Sequence, residues 1–96
     1  MPGVRSRAVP AQDLSIEIHD LDAGTVVETH RHDEERVGVV TKGSVLMVIA
    51  GDQRILTAGD TYRIPASAAH GARVLEAAAQ VIEMWVGAPS LAVGPA

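Results

Sequence analysis

Residues 24–43, with the sequence GTVVETHRHDEERVGVVTKG, are the stretch that decides the fold. Valine and threonine are frequent at both of its ends, and these residue types favour β-strands. His30 and His32 stand two residues apart, so on a strand both side chains project from the same face. The string is a common way to present two imidazoles to one metal ion, although by itself it more often marks two surface or hydrogen-bonded histidines.

Similar short runs occupy most of the chain on both sides of this stretch. Each run is apolar or alternates between apolar and polar residues, and glycine or aspartate separates one run from the next. The runs are LSIEIHD, TVVETHRH, RVGVVTKG, SVLMVIAG, QRILTAGD, TYRIPA, GARVLEA and QVIEMWVG. Such spacing is typical of an antiparallel sandwich or barrel, and no helical stretch of convincing length is present. The sequence therefore predicts an all-β fold.

The length of the chain limits it to one small domain. A chain of 96 residues is too short for two ordinary domains. Residues 1–12 contain prolines and a glycine and are interpreted as a tail or an edge strand, and residues 88–96 as a C-terminal tail. The barrel is expected over residues 13–87. With no Phe, one Trp and one Tyr, aliphatic side chains must fill most of its core.

The charged and apolar residues argue against several classes of partner. The formal net charge is −4 and the eight Lys and Arg residues are scattered, which argues against nucleic acid. No apolar run approaches the roughly 18 residues of a membrane-spanning helix. The first residues lack the apolar segment of a signal peptide, so a cytoplasmic location is expected. The absence of cysteine excludes disulfides and thiolate ligands.

Residues 45–50, VLMVIA, are apolar at both alternations of a strand. Val45, Met47 and Ile49 can face the interior, but Leu46 and Val48 then need cover on the other side. Symmetric pairs are the commonest oligomers, so a homodimer is the preferred expectation. The alternative is that the N-terminal tail crosses this face.

The spacing of glycines around the first two histidines forms a longer pattern. Gly24, five residues, His30, one residue, His32 and, after ten more, Gly43 resemble the first motif of the cupin superfamily. Further along, a second pattern resembles the second cupin motif. It consists of Gly59, five residues, a proline, and His70 five positions after that proline.

Two independent motifs in order make the resemblance specific, and it covers the chain from about Asp13 to Gly87. It implies a small antiparallel β-barrel, the double-stranded β-helix or jelly roll of the cupins. It also implies that His30, His32 and His70 are ligands of one metal ion. All-nitrogen ligation accepts divalent Fe, Mn, Ni, Cu or Zn.

The chain departs from the family pattern at the usual fourth ligand, where Arg36 stands. Arginine stays protonated and has no lone pair to donate. Three accounts remain open. The site has three histidines and open positions, as in the thiol dioxygenases of the superfamily; or Glu35 reaches the metal; or Glu28 or Glu83 supplies the carboxylate. Glu28 shares the histidine face if the strand alternates regularly, and Glu83 lies in the apolar run VIEMWV.

Several side chains are candidates for roles beyond ligation. Arg36 has two interpretations: an inward cation that grips a substrate anion, or a solvent-facing partner of Asp33 or Glu34. Glu83 or Glu28 is the candidate for moving a proton. We expect the remaining candidates to serve packing rather than binding, except His19, which alternates with apolar neighbours and is expected to be solvated. The expected packing residues are Tyr62, Met47, Met84 and Trp85.

The three candidate ligands and the inward interpretation of Arg36 together lead us to expect a metal-dependent enzyme acting on a small, anionic organic molecule. Dioxygenation is the leading expectation, with lyase, isomerase, cyclase or decarboxylase chemistry as alternatives, because the superfamily hosts all of them. The rival hypothesis is a non-catalytic sensor or binding module for a small ligand. The fold alone does not choose among these.

Overall fold

Turns rich in glycine and aspartate divide the chain into short strands. A computed structural model describes residues 1–87, and within them it has nine β-strands. The predicted tail at residues 88–96 lies outside the described residues. The strands are β1 (Val4–Val9), β2 (Ser15–Leu21), β3 (Val26–His30), β4 (Arg36–Lys42), β5 (Ser44–Ile49), β6 (Asp52–Thr57), β7 (Thr61–Ile64), β8 (His70–Val74) and β9 (Ala79–Trp85). Residues 1–87 contain no helix with the length and hydropathy that crossing a membrane requires.

The strands form two antiparallel sheets whose inner faces share one core. The five-stranded sheet has the order β1-β2-β9-β4-β7, and the four-stranded sheet has the order β3-β8-β5-β6. Within residues 1–87 no strand pairing joins the sheets into one closed ladder. The predicted all-β jelly roll is confirmed, in the form of two facing sheets. The shared core consists of Leu21, Val40, Val45, Met47, Leu56, Tyr62, Ile64, Val74, Ala79 and Val81.

The tight turn between β4 and β5 depends on Gly43. Its φ of 76° lies in the left-handed region that side chains disfavour. A Cβ at this position would also stand 2.5 Å from the carbonyl oxygen of Ala78. Because this turn carries the chain from one sheet to the other, glycine is needed here for both conformation and space.

The inner face of the five-stranded sheet is unexpectedly polar. Along β2 the buried side chains are Ser15, Glu17 and Leu21, while the isoleucines between them face outward. His19 lies on the inner face too, with only 19% of its side chain exposed. The prediction that His19 is solvated is therefore wrong. On this strand the polar alternation faces inward, because the interior holds a cavity rather than a purely apolar core.

Both sheets also have apolar outer faces. On β5, Val45 and Met47 are buried and Leu46 and Val48 are half-buried on the outside, as predicted. The strand β1 lies at the edge of the five-stranded sheet beside β2, so it does not cross the outer face of β5. The alternative cover by the N-terminal residues is thus excluded for Val4–Val9. The outer face of the five-stranded sheet carries its own aliphatic rows on β2, β9 and β4.

Candidate metal centre

Three histidines meet where β3 and β8 lie side by side. His30 ends β3, His32 follows it in the loop to β4, and His70 begins β8. His30 and His70 are directly paired across the two strands. The ring centroids are 4.2 to 5.1 Å apart, and one nitrogen from each ring lies within 4.8 Å of the other two. The structure therefore brings all three predicted ligands together.

An irregularity in β3 decides which of its side chains accompany the histidines. The register with β8 shifts between Val27 and His30, so these two residues, three apart, both line the cavity. Strict alternation would have placed Glu28 beside His30. The bulge instead turns the Glu28 side chain outward, where it is exposed. The prediction that Glu28 shares the histidine face is wrong.

Backbone carbonyls orient two of the imidazole rings. The Nδ1 of His30 donates to the carbonyl oxygen of Glu28 at 2.7 Å, and the Nδ1 of His70 donates to that of Ala68 at 3.0 Å. A carbonyl only accepts, so Nδ1 carries the proton and the Nε2 lone pair stays available for a metal.

Two of the three histidines, His32 and His70, have lowered pKa values. Burial, followed by the charge of Arg36, lowers the pKa of His32 to about 4. Burial also lowers the pKa of His70. Metal ligation requires the neutral imidazole. These donors fit a transition-metal ion of the kinds predicted.

Arg36, the residue at the usual position of the fourth ligand, points inward and is only 4% exposed. Its Nη1 donates to Glu83 Oε2 at 3.0 Å, while Nε and Nη2 donate to Glu34 Oε1 at 2.9 and 2.6 Å. The guanidinium carbon also lies 3.8 Å from the centroid of a Trp85 ring. The solvent-facing interpretation of Arg36 is wrong, although the predicted pairing with Glu34 is present. All three guanidinium nitrogens are engaged by carboxylates of the chain.

Glu83 lines the same cavity and is held from two sides. Besides the bond from Arg36, its Oε1 accepts a hydrogen bond from the Tyr62 hydroxyl at 2.7 Å. Burial, followed by the charge of Glu83, raises the pKa of Tyr62 well above its usual value, so the hydroxyl remains a donor. Tyr62 reaches Glu83 by crossing Gly38, where a Cβ would stand 2.3 Å from the Tyr62 ring.

Glu35 does not reach the histidines. It is exposed, and its carboxylate pairs with Nε of Arg63 on the surface. Because Arg36 turns inward at the start of β4, the preceding side chain faces the other way. Among the described residues, the group able to hold one metal contains three histidines and no carboxylate. The structure thus favours the three-histidine account over ligation by Glu35 or Glu28.

Comparison with known proteins agrees with this geometry. The family model for the cupin domain matches residues 17–87. The chain belongs to the cupin family. This cupin is 29% identical over 85 residues to the pectin degradation protein KdgF of Dickeya dadantii, covering 86% of this chain and 77% of the relative.

Solved structures extend the likeness to the fold. KdgF from Halomonas sp. superposes on this cupin with a TM-score of 0.87 at 28% identity, covering 94% of this chain and 84% of the other. Salicylate 1,2-dioxygenase from Pseudoaminobacter salicylatoxidans gives a TM-score of 0.84 at 21% identity, covering 90% and 25%. The second likeness shows the fold alone.

Two residues of this cupin's site escaped the sequence-based prediction. Tyr62 was expected to be a packing residue, and Gly38 was not among the predicted site residues. A glycine inside the strand RVGVV often marks a close approach by another group, and that signal was available. The sequence could not show that the approaching group is Tyr62, because that contact depends on the pairing of β4 with β7.

Proposed function

We propose that this cupin is a metal-dependent enzyme acting on a small anionic organic molecule, with His30, His32 and His70 holding one divalent transition-metal ion. One observation carries the proposal. Three convergent imidazoles and an anchored carboxylate, Glu83, line a single cavity of about 680 Å³. Cavities of roughly 300 to 1,000 Å³ accommodate small ligands. Divalent Fe, Mn, Ni, Cu or Zn would suit the nitrogen donors. When bound, such an ion supplies Lewis acidity toward a substrate oxygen.

Arg36 acts in this proposal by positioning Glu83. The sequence suggested a bidentate grip on a substrate anion. Its nitrogens are instead bonded to Glu34 and Glu83, and its face rests on Trp85. A guanidinium in this arrangement fixes the orientation of Glu83 toward the cavity. At the usual position of the fourth ligand, this chain thus has Arg36, which anchors the carboxylate of Glu83.

Glu83 is the residue that moves a proton in the proposed reaction. Arg36 and Tyr62 each donate to one of its oxygens, so the carboxylate has a defined direction and no freedom to turn away. A carboxylate held in this way can take a proton from a substrate carbon or oxygen and return it elsewhere. Proton-transfer chemistry, of the lyase, isomerase or cyclase type, is therefore the reaction class we place first.

The KdgF relatives support placing proton-transfer chemistry ahead of dioxygenation. The Dickeya protein is described by its name as acting in pectin degradation. Pectin is a polymer of sugar acids, which suits the expected anionic substrate. Dioxygenation, the first choice from the sequence, becomes the second candidate, and the three-nitrogen donor set without a carboxylate is the observation that favours it.

The first experiment measures metal content. After equilibrium dialysis against Zn(II), or anaerobically against Fe(II), we expect one ion per chain in the wild type and a loss of binding in His70→Ala. His19→Ala is the matched control, because His19 lies outside the three-histidine group. Equal binding by His70→Ala and wild type would contradict the metal centre.

The second experiment separates the candidate functions without knowing the product. Metal-loaded protein is incubated in D₂O with a panel of sugar acids, and deuterium incorporation at carbon is followed by NMR. We expect exchange in the wild type and its loss in Glu83→Gln at unchanged metal content. Fe(II)-dependent oxygen uptake without exchange would favour the dioxygenase. Ligand-dependent stabilisation without either would favour the sensor.

We also propose that the homodimer expected from the sequence forms through the outer face of the five-stranded sheet, rather than through the outer face of β5 on which that expectation was based. Ile82 lies between Ile18 and Val39 in the sheet register, and Met84 lies between Ile16 and Val37, so the aliphatic rows are continuous across three strands. The same patch on both copies permits a symmetric pair. The cytoplasmic location and the absence of nucleic-acid and membrane partners remain predictions from the sequence.

Sedimentation tests this assembly. Val37 is 43% exposed on the proposed interface, and Ile55 is 62% exposed on the outer face of the other sheet. We expect Val37→Glu to be a monomer and Ile55→Glu to remain a dimer. The opposite pattern would place the contact on the β5–β6 face, and a monomeric wild type would refute the dimer.

A further inference from the structure

A second polar cluster lines the cavity on the sheet that faces two of the histidines. Ser6 projects into it from β1, and Glu17 and His19 project from β2. Ser6 and His19 are directly paired across these two strands. Neither the metal centre nor the proton transfer proposed above uses any of the three.

The contacts within this cluster indicate which group donates and which accepts each hydrogen bond. The Nε2 of His19 lies 3.5 Å from Oε1 of Glu17, and Ser6 Oγ lies 2.6 Å from Nδ1 of His19. A carboxylate only accepts, which favours the tautomer with the proton on Nε2. In that tautomer Nδ1 is an acceptor, so the Ser6 hydroxyl donates to it. The lone pairs of Ser6 Oγ remain available to a ligand.

Packing by itself does not explain these residues. Glu17 is 1% exposed, and burying a carboxylate is costly even when it is paired. Further along the same pair of strands, Val4 lies opposite Leu21. Leu21 belongs to the apolar core, and Val4 packs against it. Aliphatic residues are thus accommodated on this wall where only packing is required. Keeping an oriented hydroxyl and imidazole here points to recognition.

We propose that Ser6, positioned by His19 and Glu17, is a second subsite that binds a hydroxyl group of the ligand. The inference rests on the proposed function, since the metal centre and the subsite belong to one cavity. Acceptor lone pairs on Ser6 and the negative charge of Glu17 disfavour a second anionic group and favour a hydroxyl that donates a hydrogen bond. The ligand is therefore a small carboxylic acid that carries a hydroxyl group on its chain.

Two six-carbon acids test the subsite by calorimetry on the Zn(II)-loaded protein. Gluconate carries hydroxyls and hexanoate carries none, while both have one carboxylate. We expect the ratio of gluconate to hexanoate affinity to fall roughly two- to tenfold in Ser6→Ala, the effect of one hydrogen bond. His19→Phe should lower the ratio as well, and hexanoate affinity should not change in either variant.

Arg7→Ala is the control on the same strand, because Arg7 is outside the cavity with 60% of its side chain exposed. An unchanged ratio in both Ser6→Ala and His19→Phe, or no binding of gluconate to the wild type, would refute the subsite. Deuterium exchange that depends on Glu83 tests the enzyme separately. Persistent exchange with an unchanged ratio would remove the subsite and leave the proposed function standing.

Discussion

Replacing Arg36 by methionine is the sharpest test of how the inner face of the five-stranded sheet is held together. The side chain of Arg36 is 4% exposed and that of Glu83 is 12% exposed, so the substitution leaves a buried carboxylate without its cation. Removing one partner of a buried ion pair costs about 3 to 5 kcal/mol. Glu34, the other partner, is 32% exposed and contributes little to this cost because water can replace the lost bond. Loss of the contact with Trp85 adds about 1 kcal/mol.

We therefore expect Arg36→Met to lower the free energy of unfolding by about 4 to 6 kcal/mol, a large part of the roughly 5 to 15 kcal/mol of an ordinary domain. Urea unfolding followed by tryptophan fluorescence, with a chelator present to exclude metal, measures this difference. The double variant Arg36→Met/Glu83→Gln removes the orphaned charge and should recover more than half of the loss.

Arg63→Met is the matched control. Its ion pair with Glu35 joins side chains that are 63% and 54% exposed, and such pairs contribute about 0 to 1 kcal/mol. If Arg36→Met proved no more destabilising than Arg63→Met, the account of Glu83 as a carboxylate anchored by a buried cation would be refuted.

Three further predictions follow from the site. Gly38→Ala should lower the free energy of unfolding by about 1 to 3 kcal/mol in thermal denaturation, because the added Cβ would stand 2.3 Å from the ring of Tyr62; a wild-type melting temperature would contradict this. The folded pKa of His32, about 4, lies below its ordinary value of 6.5, so the unfolded chain takes up the proton first. In metal-free protein, the free energy of unfolding should therefore keep the full contribution of neutral His32 above pH 6.5. It should fall by about 1 kcal/mol between about pH 6.5 and 4, after allowance for solvent screening. The fall should be smaller in His32→Asn. Zn(II) at about 100 times its Kd should raise the unfolding free energy of the wild type by about 2.7 kcal/mol and leave that of His70→Ala unchanged.

Much of the fold could be predicted because it depends on local features. Turn residues and the alternation of short runs determined the strands, and the two spaced motifs around His30, His32 and His70 identified the jelly roll and the candidate ligands. The inward alternation of Val45 and Met47 was also correct, since both sides of β5 were apolar and one side had to be buried. These features depend on neighbours within a few residues along the chain.

The remaining features depend on contacts between distant strands. The bulge that keeps Glu28 away from the histidines arises where β3 pairs with β8, and the sequence TVVETH alone does not predict it. The inward direction of Arg36 depends on partners 2 and 47 positions away in sequence, Glu34 and Glu83, whose carboxylates make a buried cation tolerable.

The sequence by itself therefore determined that this chain is a jelly roll with three convergent histidines. Only the tertiary structure decided which side of β2 and of β3 faces the cavity and which carboxylates accompany the candidate metal centre. The physical reason is that a strand with polar and apolar alternations can bury either one. The choice depends on whether the facing sheet offers an apolar core or, as around Glu17 and Glu83, charges and hydrogen bonds that compensate for burial.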